Sequence, residues 1–336
     1  MVDLNIDLPK DFLLEEVRSG YMVSSKMKQV WAIQLDLLSE LLRVCNDNGL
    51  KVIADSGTLL GSVRHKGYIP WDDDIDVYLI RDDYDRLCGL SHEFREGYFL
   101  QNMTTDTIER CHSQLRRNGT AALLKSDYGK SFNRGIFIDI FVLDYVPNDS
   151  NEADRFAYEI GKRYRAFCAP ARKTYYKSDN VIKRIVKVAW NSFVFPIMNC
   201  FYNKRYNCFD KKSKAFSEWN SFVAKYNHNT DYVCNISCYG TANKKAIYYE
   251  KELYLDLVQL DFEMFKLYAP KDYDKRLRME YGDYMVFKIG SSIHGEVFFD
   301  VNKSYKEYDC LTKKEFSQLF NHDSKWGHYF VMANKS

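Results

Sequence analysis

No stretch of this chain approaches the run of about 20 apolar residues that a bilayer-crossing helix needs. The nearest, residues 189–202, is interrupted by Asn191, Pro196 and Asn199. A soluble or peripheral protein is therefore expected. The N-terminus, MVDLNIDLPKDF, mixes acids and a lysine with no continuous apolar core, so it does not read as an export signal. Excess charge is missing as well. With 48 Lys and Arg against 46 Asp and Glu, the net charge of +2 provides no global field for nucleic acid, and anion binding must come from local arginines and lysines. A disulfide framework is also lacking, because the nine cysteines are odd in number and scattered, which suits a reducing, cytoplasmic compartment. There are no internal repeats and no low-complexity tracts.

Aromatic residues are plentiful. They make up 16% of the 336 residues, with 26 Tyr and 22 Phe, enough for a tightly packed core with rings left over to stack on a ligand. From Ser25 to Asn48, apolar residues at Val30, Leu37, Leu38, Leu41, Leu42 and Cys45 recur at helical spacing, and Gly49 is placed to end the helix. A strand at Lys51–Ala54, a short helix through Thr58–Arg64, a strand at Ile75–Ile80 and a helix from Asp82 or Asp83 follow. Strands are expected again at Tyr98–Gln101, His112–Arg116, Thr120–Leu124 and Ile136–Leu143. After Pro147 the chain turns to charged helical stretches, and from Lys214 it reads as mostly helical, with a strand or loop around Tyr232–Tyr239. This pattern predicts an α+β fold: a mixed β-sheet core flanked by helices, with a largely helical insertion and C-terminal part.

The most informative segment is SGTLLGSVRHKGYIPWDDDIDV, Ser56 to Val77. In an extended strand, residues two apart share a face, so Asp72, Asp74 and Asp76 project together while Ile75 and Val77 bury on the other side. Clustered like charges are costly without a cation, and hard carboxylate oxygens suit Mg²⁺ or Mn²⁺ rather than zinc. Gly61 would let backbone amides approach a phosphate, with Ser62 adding a hydroxyl donor at a helix start. Two aligned carboxylates and a glycine turn point to metal-assisted phosphoryl chemistry.

The Gly61–Ser62 turn followed by Asp74-Ile75-Asp76-Val77 resembles the polymerase-beta-like nucleotidyltransferase superfamily. At finer grain, GTLLGSVRHKGYIPWDDDIDV, GIFIDIFVLDYVP from Gly135 and APKDYDKRLRMEYGDYM from Ala269 resemble the three sequence blocks of the LicD family, which includes the fukutin-related proteins. The blocks and the leading helix cover most of residues 25–147 and 260–295. The family usually has a proline soon after the third block, where this chain runs VFKIGSS.

The resemblance implies a nucleotidyltransferase-like catalytic core at 25–147, preceded by an extension at 1–24. A helical insertion at 148–230 and a C-terminal part at 231–336 that completes the cleft would follow. It implies Asp139 as a third carboxylate from a neighbouring strand, so that Asp72, Asp74, Asp76 and Asp139 hold Mg²⁺ or Mn²⁺, with Asp74, Asp76 and Asp139 catalytic. Donor-binding candidates are Gly61, Ser62, Arg64, His65, Trp71 and Arg116, the arginines because a planar guanidinium matches two phosphate oxygens. Asp139 is the first candidate for proton acceptor and His65 the second. Asp144 reads instead as a strand-end acid capping a loop, and His294 carries no assigned role.

The implied activity is transfer of a phosphorylated alcohol, foremost phosphocholine from CDP-choline, to a hydroxyl of a cell-surface glycan or lipid-linked oligosaccharide, with release of CMP. Lipopolysaccharide, teichoic acid and capsule are the acceptor classes implied, and no nucleic acid is expected. An ordinary nucleotidyltransferase that moves a nucleoside monophosphate, or a non-catalytic glycan-binding protein, are the alternatives. For choline, an aromatic box would draw on Trp71, Tyr78, Tyr281 and Tyr284. Residues 181–205 set Ile182, Ile185, Val186, Ala189 and Phe193 at helical spacing against Lys183, Arg184 and Lys187. That pattern suits either a helix packed on the core or contact with the inner face of a membrane. Cys200, Cys208, Cys234 and Cys238 form a loose four-thiol set for which zinc is conceivable, without a CxxC pair.

Overall fold

The computed structural model describes residues 1–168, 181–205, 209–226, 228–242, 245–288, 297–320 and 329–330. His294 and Cys208 lie outside the described residues. The fold is α+β, with a central mixed sheet flanked by helices, as its composition of elements predicts.

Ser24 caps the leading helix, Ser25–Asp47, through a hydrogen bond from the Met27 N–H. This helix is buried almost all round: Trp31, Ile33, Leu35, Leu37, Leu38 and Leu41 are sealed in the core, and so are the polar Gln34, Asp36 and Glu40. Its polar side chains therefore need partners inside the protein, and Gln34, together with the Trp31 indole, holds the site described below.

The sheet runs Tyr249–Glu250, Tyr232–Cys234, Ile136–Val146, Asp76–Ile80, Ile53–Ala54, Phe265–Pro270, Leu257–Phe262. The strand Ile136–Val146 organises it. Along one edge its first half pairs antiparallel with Ser113–Arg117 and its last residues pair antiparallel with Tyr232–Cys234. Along the other edge it lies parallel to Asp76–Ile80. Residues 136–146 are buried nearly throughout, in keeping with a central strand covered on both faces.

Three expectations change. The part beyond Lys214 is not mostly helical, because the hairpin Leu257–Phe262 and Phe265–Pro270 extends the central sheet beside Ile53–Ala54. The strand Ala121–Leu124 leaves the sheet and pairs with Val297–Asp300. Residues 1–24 are not only an extension, since Phe12, Tyr21 and Val23 enter the main core.

Asp144 does not cap a loop. It is buried inside its strand, where it accepts hydrogen bonds from Arg81 Nε at 2.7 Å and Ser237 Oγ at 2.8 Å. The insertion packs into a second, smaller cluster, in which Phe156, Ile160, Phe167, Phe216, Trp219 and Val223 meet Met103, Val146 and Ile236 from the flanking segments. No helix among the described residues is long and apolar enough to cross a membrane.

Candidate active site

The parallel pairing of Asp76–Ile80 with Ile136–Val146 sets Asp76 directly opposite Asp139. Ile75 and Val77 are fully buried, so Asp74 and Asp76 project to the opposite face. Carboxylate oxygens of Asp74, Asp76 and Asp139 lie within 4.8 Å of one another, and so do those of Asp72, Asp73 and Asp74. The structure thus brings all four acids read from the sequence to one place.

Backbone hydrogen bonds fix that geometry. The Asp76 N–H donates to Thr58 Oγ1 at 2.8 Å, and the Asp139 N–H donates to the Ile75 carbonyl at 2.9 Å. From the leading helix, Trp31 Nε1 donates to the Asp72 carbonyl at 3.1 Å and Gln34 Nε2 to the Asp73 carbonyl at 2.6 Å.

The acids differ electrostatically. Burial, then the charges of Asp74 and Asp73, holds Asp72 well above the ordinary carboxylate range. Burial, then the charges of Asp74 and Asp139, does the same to Asp76. Asp139 moves the other way. Burial opposes its charge, but hydrogen bonds from His112 Nε2 at 2.9 Å and Gln114 Nε2 at 2.7 Å, with the His112 charge, outweigh burial and lower its pKa. Burial likewise opposes the His112 charge, and the bond to Asp139 raises its pKa overall.

These acids border a cleft of about 750 Å³, lined also by Ser56, Gly57, Arg64, Trp71, Arg110, His112, Gln114 and Arg116. The glycine turn that faces it is Ser56–Gly57. A Cβ on Gly57 would sit 2.8 Å from Asp72 Oδ2, so any larger residue there would push that carboxylate aside. Asp55 caps this helix, Ser56–His65, accepting from the Ser56 N–H at 2.6 Å.

Gly61 and Ser62 lie deeper in the helix and are not among the residues lining the cleft. A Cβ on Gly61 would meet the Gly67 carbonyl at 2.3 Å, and the buried Ser62 hydroxyl donates to the Thr58 carbonyl at 2.9 Å. One helical turn separates the two glycines, and the chain puts the upstream one at the cleft.

Arg64 reaches the cleft with its guanidinium 4.0 Å above the Phe287 ring, and it donates to the Tyr284 carbonyl at 3.1 Å. Its Nε and Nη2 are buried without a hydrogen-bond partner among the described residues, and burial lowers its pKa. Arg110 also has a buried, unpartnered nitrogen, Nη1, beside the cleft.

The donors of Arg116 are already engaged, by Gln101 Oε1, Gln114 Oε1 and, at 2.6 Å, the Gly135 carbonyl. Because Gln114 Oε1 accepts from Arg116, its amide nitrogen points at Asp139. Arg116 thereby orients a partner of the acid cluster. Burial lowers its own pKa to about 9.

His65 is not among the residues lining the cleft; its Nδ1 lies 3.2 Å from Ser19 Oγ. Burial, with the charges of Arg64 and Arg18, pushes its pKa down to about 4, so the ring is neutral at pH 7. Trp71, Phe137, Phe141, Tyr281 and Tyr284 form an aromatic wall. Tyr78 is not part of it: its hydroxyl lies 3.4 Å from Ser56 Oγ and 3.2 Å from Asn235 Nδ2.

The third sequence block supplies the cleft's far wall, as the helix Tyr273–Tyr281 carries Arg276, which pairs with Asp55 at 2.5 Å and with Glu280 at 2.7 Å. Of the four thiols considered for zinc, Cys200 is exposed and Cys234 is buried, while Cys238 lies against Cys111 and His112. The four are therefore not a described set.

Sequence reasoning missed Ser56, Gly57, Arg110, His112, Gln114 and Glu280 as site residues. Gln114 was within reach, because it and Arg116 flank buried Leu115 on a strand expected at His112–Arg116, which the structure sets beside Asp139. The others carry no local signal.

The family description "LicD/FKTN/FKRP, nucleotidyltransferase domain" matches residues 49–197, which contain all four acids. Over 261 residues the chain is 26% identical to the lipopolysaccharide cholinephosphotransferase LicD of Haemophilus influenzae, covering 77% of this chain and 91% of that protein. It is also 29% identical over 137 residues to an uncharacterised protein of Rickettsia prowazekii, covering 40% of this chain and 47% of the relative.

Proposed function

Because the chain belongs to the LicD family, we propose that it is a phosphotransferase acting on a CDP-activated alcohol, with CDP-choline the foremost donor. The phosphorylated alcohol passes to a hydroxyl of a cell-surface glycan or its lipid-linked precursor, and CMP leaves. The observation that carries this reading is the convergence in one cleft of four carboxylates and two arginines with unpartnered nitrogens.

The donor set fits Mg²⁺ or Mn²⁺. Every ligand atom offered is a carboxylate oxygen, and Asp72 and Asp76 are held protonated beyond their ordinary range when no cation is near. Asp74, Asp76 and Asp139 would hold the ion, with Asp72 beside them. Such an ion, when bound, neutralises charge on the phosphate oxygens and the leaving group.

The chain's own residues do the remaining work. Arg64 and Arg110 offer charged donors to a diphosphate, and the Ser56 and Gly57 end of the helix adds its positive dipole. Trp71, Tyr281 and Tyr284 offer ring faces to a trimethylammonium group, each good contact contributing about 0.5 to 2 kcal/mol. His112 and Gln114 keep Asp139 ionised. A depressed pKa makes Asp139 a strong charge and a weak base, so it orients the attacking hydroxyl rather than storing its proton.

The test is to incubate the purified protein with Mg²⁺, a panel of CDP-alcohols and lipopolysaccharide precursor. CMP release with CDP-choline, together with phosphocholine on the acceptor, is the expected result. A nucleotide left on the acceptor, seen by phosphorus NMR, would replace this reading with nucleotidyl transfer. No CMP release with any donor would end it.

The same reading places the protein on the cytoplasmic face of the membrane that carries its acceptor. Along the helices Val181–Ala189 and Phe195–Arg205 and the turn between them, Ile182, Ile185, Phe193, Ile197 and Phe201 are largely exposed. Lysines and arginines recur in the same segment, as in helices that lie in an anionic interface. Burying a Phe is worth about 1.5 to 3 kcal/mol. Phe193→Ser with Phe201→Ser should therefore lower co-sedimentation with phosphatidylglycerol vesicles at least about tenfold. Unchanged sedimentation would remove the membrane contact.

A further inference from the structure

Cys111 and Cys238 come from distant parts of the chain, the first just before the strand Ser113–Arg117 and the second in the helix Ile236–Ala242. Their sulfurs lie 3.3 Å apart. His112 Nδ1 is 3.9 Å from the first sulfur and 3.7 Å from the second. The opposite nitrogen of the same ring, Nε2, is 2.9 Å from Asp139 Oδ1. A proton on Nε2 is the one arrangement of a neutral ring that lets it donate to the carboxylate, and it leaves the Nδ1 lone pair directed at the two sulfurs.

We propose that Cys111, His112 and Cys238 form a second metal site, distinct from the acid cluster, that takes zinc. Two thiolates and an imidazole are soft and borderline donors that select zinc over Mg²⁺, whereas the neighbouring oxygen cluster selects the reverse. The distances suit it. With Zn–S near 2.3 Å and Zn–N near 2.0 to 2.1 Å, a tetrahedral ion holds its sulfurs about 3.8 Å apart and each sulfur about 3.5 Å from the nitrogen. The observed triangle needs shifts of about half an ångström or less to reach that shape.

The hydrogen bond to Asp139 matches a second feature of such sites, in which a ligating histidine donates its other N–H to a carboxylate that fixes ring and tautomer. His112 would then join the two sites, with zinc on one nitrogen and a phosphate-site acid on the other. Three protein ligands leave a fourth position to solvent.

The inference does not depend on the transfer reaction, and its test does not read turnover. The full chain, purified with reductant and without chelator, is equilibrated with Zn²⁺ in excess Mg²⁺, desalted and measured for metal by mass spectrometry. Stoichiometric zinc is expected, with loss of that zinc in Cys111→Ser and in Cys238→Ser. Cobalt in place of zinc should give the strong near-ultraviolet charge-transfer absorption of a thiolate-bound ion. That signal decides the matter on the wild-type chain even if the variants fail to fold. Absence of zinc and of the cobalt band, zinc retained by both variants, or a Cys111–Cys238 disulfide in the intact protein under these conditions would each overturn the proposal.

Discussion

Replacing Asp76 with Asn is expected to lower kcat at least about 10³-fold, well beyond the 10- to 100-fold cost of losing a residue that only supports a metal ligand. The amide keeps the shape of the side chain and removes the charge that faces Asp139 across the two strands. Stability should move in the opposite direction. Burial and the charges of Asp74 and Asp139 raise the pKa of Asp76 above its ordinary 3.8, so in chelator its ionised form weakens the fold.

The sign follows from linkage. A group whose folded pKa is raised contributes stability that is full below the ordinary value and is lost as pH rises through the folded one. Asp72 shares this direction. Metal-free wild-type protein should therefore lose stability as pH rises from about 4 toward neutrality. Asp139, held below the ordinary range, contributes in the reverse sense, and its share is lost only as pH falls through its own lowered value.

Saturating Mg²⁺ should remove the loss at neutral pH, adding about 2.7 kcal/mol at a hundredfold excess over Kd. In Asp76→Asn the chelator-treated protein should melt at or above the wild-type temperature, and the increment from Mg²⁺ should shrink. Turnover retained with the wild-type Mg²⁺ dependence, or a wild-type melt indifferent to Mg²⁺ at neutral pH, would contradict the assignment.

The second large effect lies at Arg276, a residue outside the cleft's chemistry. Its guanidinium is almost fully buried between Asp55, which is sealed from solvent, and Glu280. Arg276→Gln leaves Asp55 a buried charge whose other acceptor contacts come from the Ser56 N–H and the Tyr254 hydroxyl. Breaking one side of a buried pair costs about 3 to 5 kcal/mol, which denaturant unfolding should read as a lower midpoint at unchanged slope.

Asp55 is also the cap that starts the helix Ser56–His65, so the damage should spread to the Ser56–Gly57 turn and reduce turnover as well as stability. The double variant Asp55→Asn with Arg276→Met should recover part of the loss, because the fully buried charge is gone and only the half-buried Glu280 is left without its partner. A single-variant cost below about 1 kcal/mol would show that the pair is solvated and that the cap stands without it.

How much of this was legible in sequence differs from residue to residue. The acids at 72, 74 and 76 were legible, because alternation is a local property of an extended chain and the buried Ile75 and Val77 force the opposite face outward. Asp139 was legible because the family resemblance calls for a third carboxylate from a neighbouring strand and the strand that carries it reads clearly. Arg64 fell at the cleft, whereas Arg116 reached it with its donors committed to Gln101, Gln114 and Gly135. The side chain's type was readable, but the neighbours competing for its donors were not. The hairpin at 257–270 was missed although Val258, Leu260 and Phe262 alternate with Gln259 and Asp261, and its place beside Ile53–Ala54 joins distant segments that no local pattern links.

The sequence by itself therefore determined the α+β class and the acid-bearing strand with its clustered carboxylates. Each depends on spacing within a few residues, where backbone geometry leaves little choice. Only the tertiary structure decided that Ser56–Gly57 rather than Gly61–Ser62 meets the cleft, and that His112 and Gln114 set the charge of Asp139. It likewise decided that Cys111 meets Cys238 and that Arg276 neutralises Asp55. Those pairings join segments that are far apart in the chain, and they exist because particular strands became neighbours in one sheet.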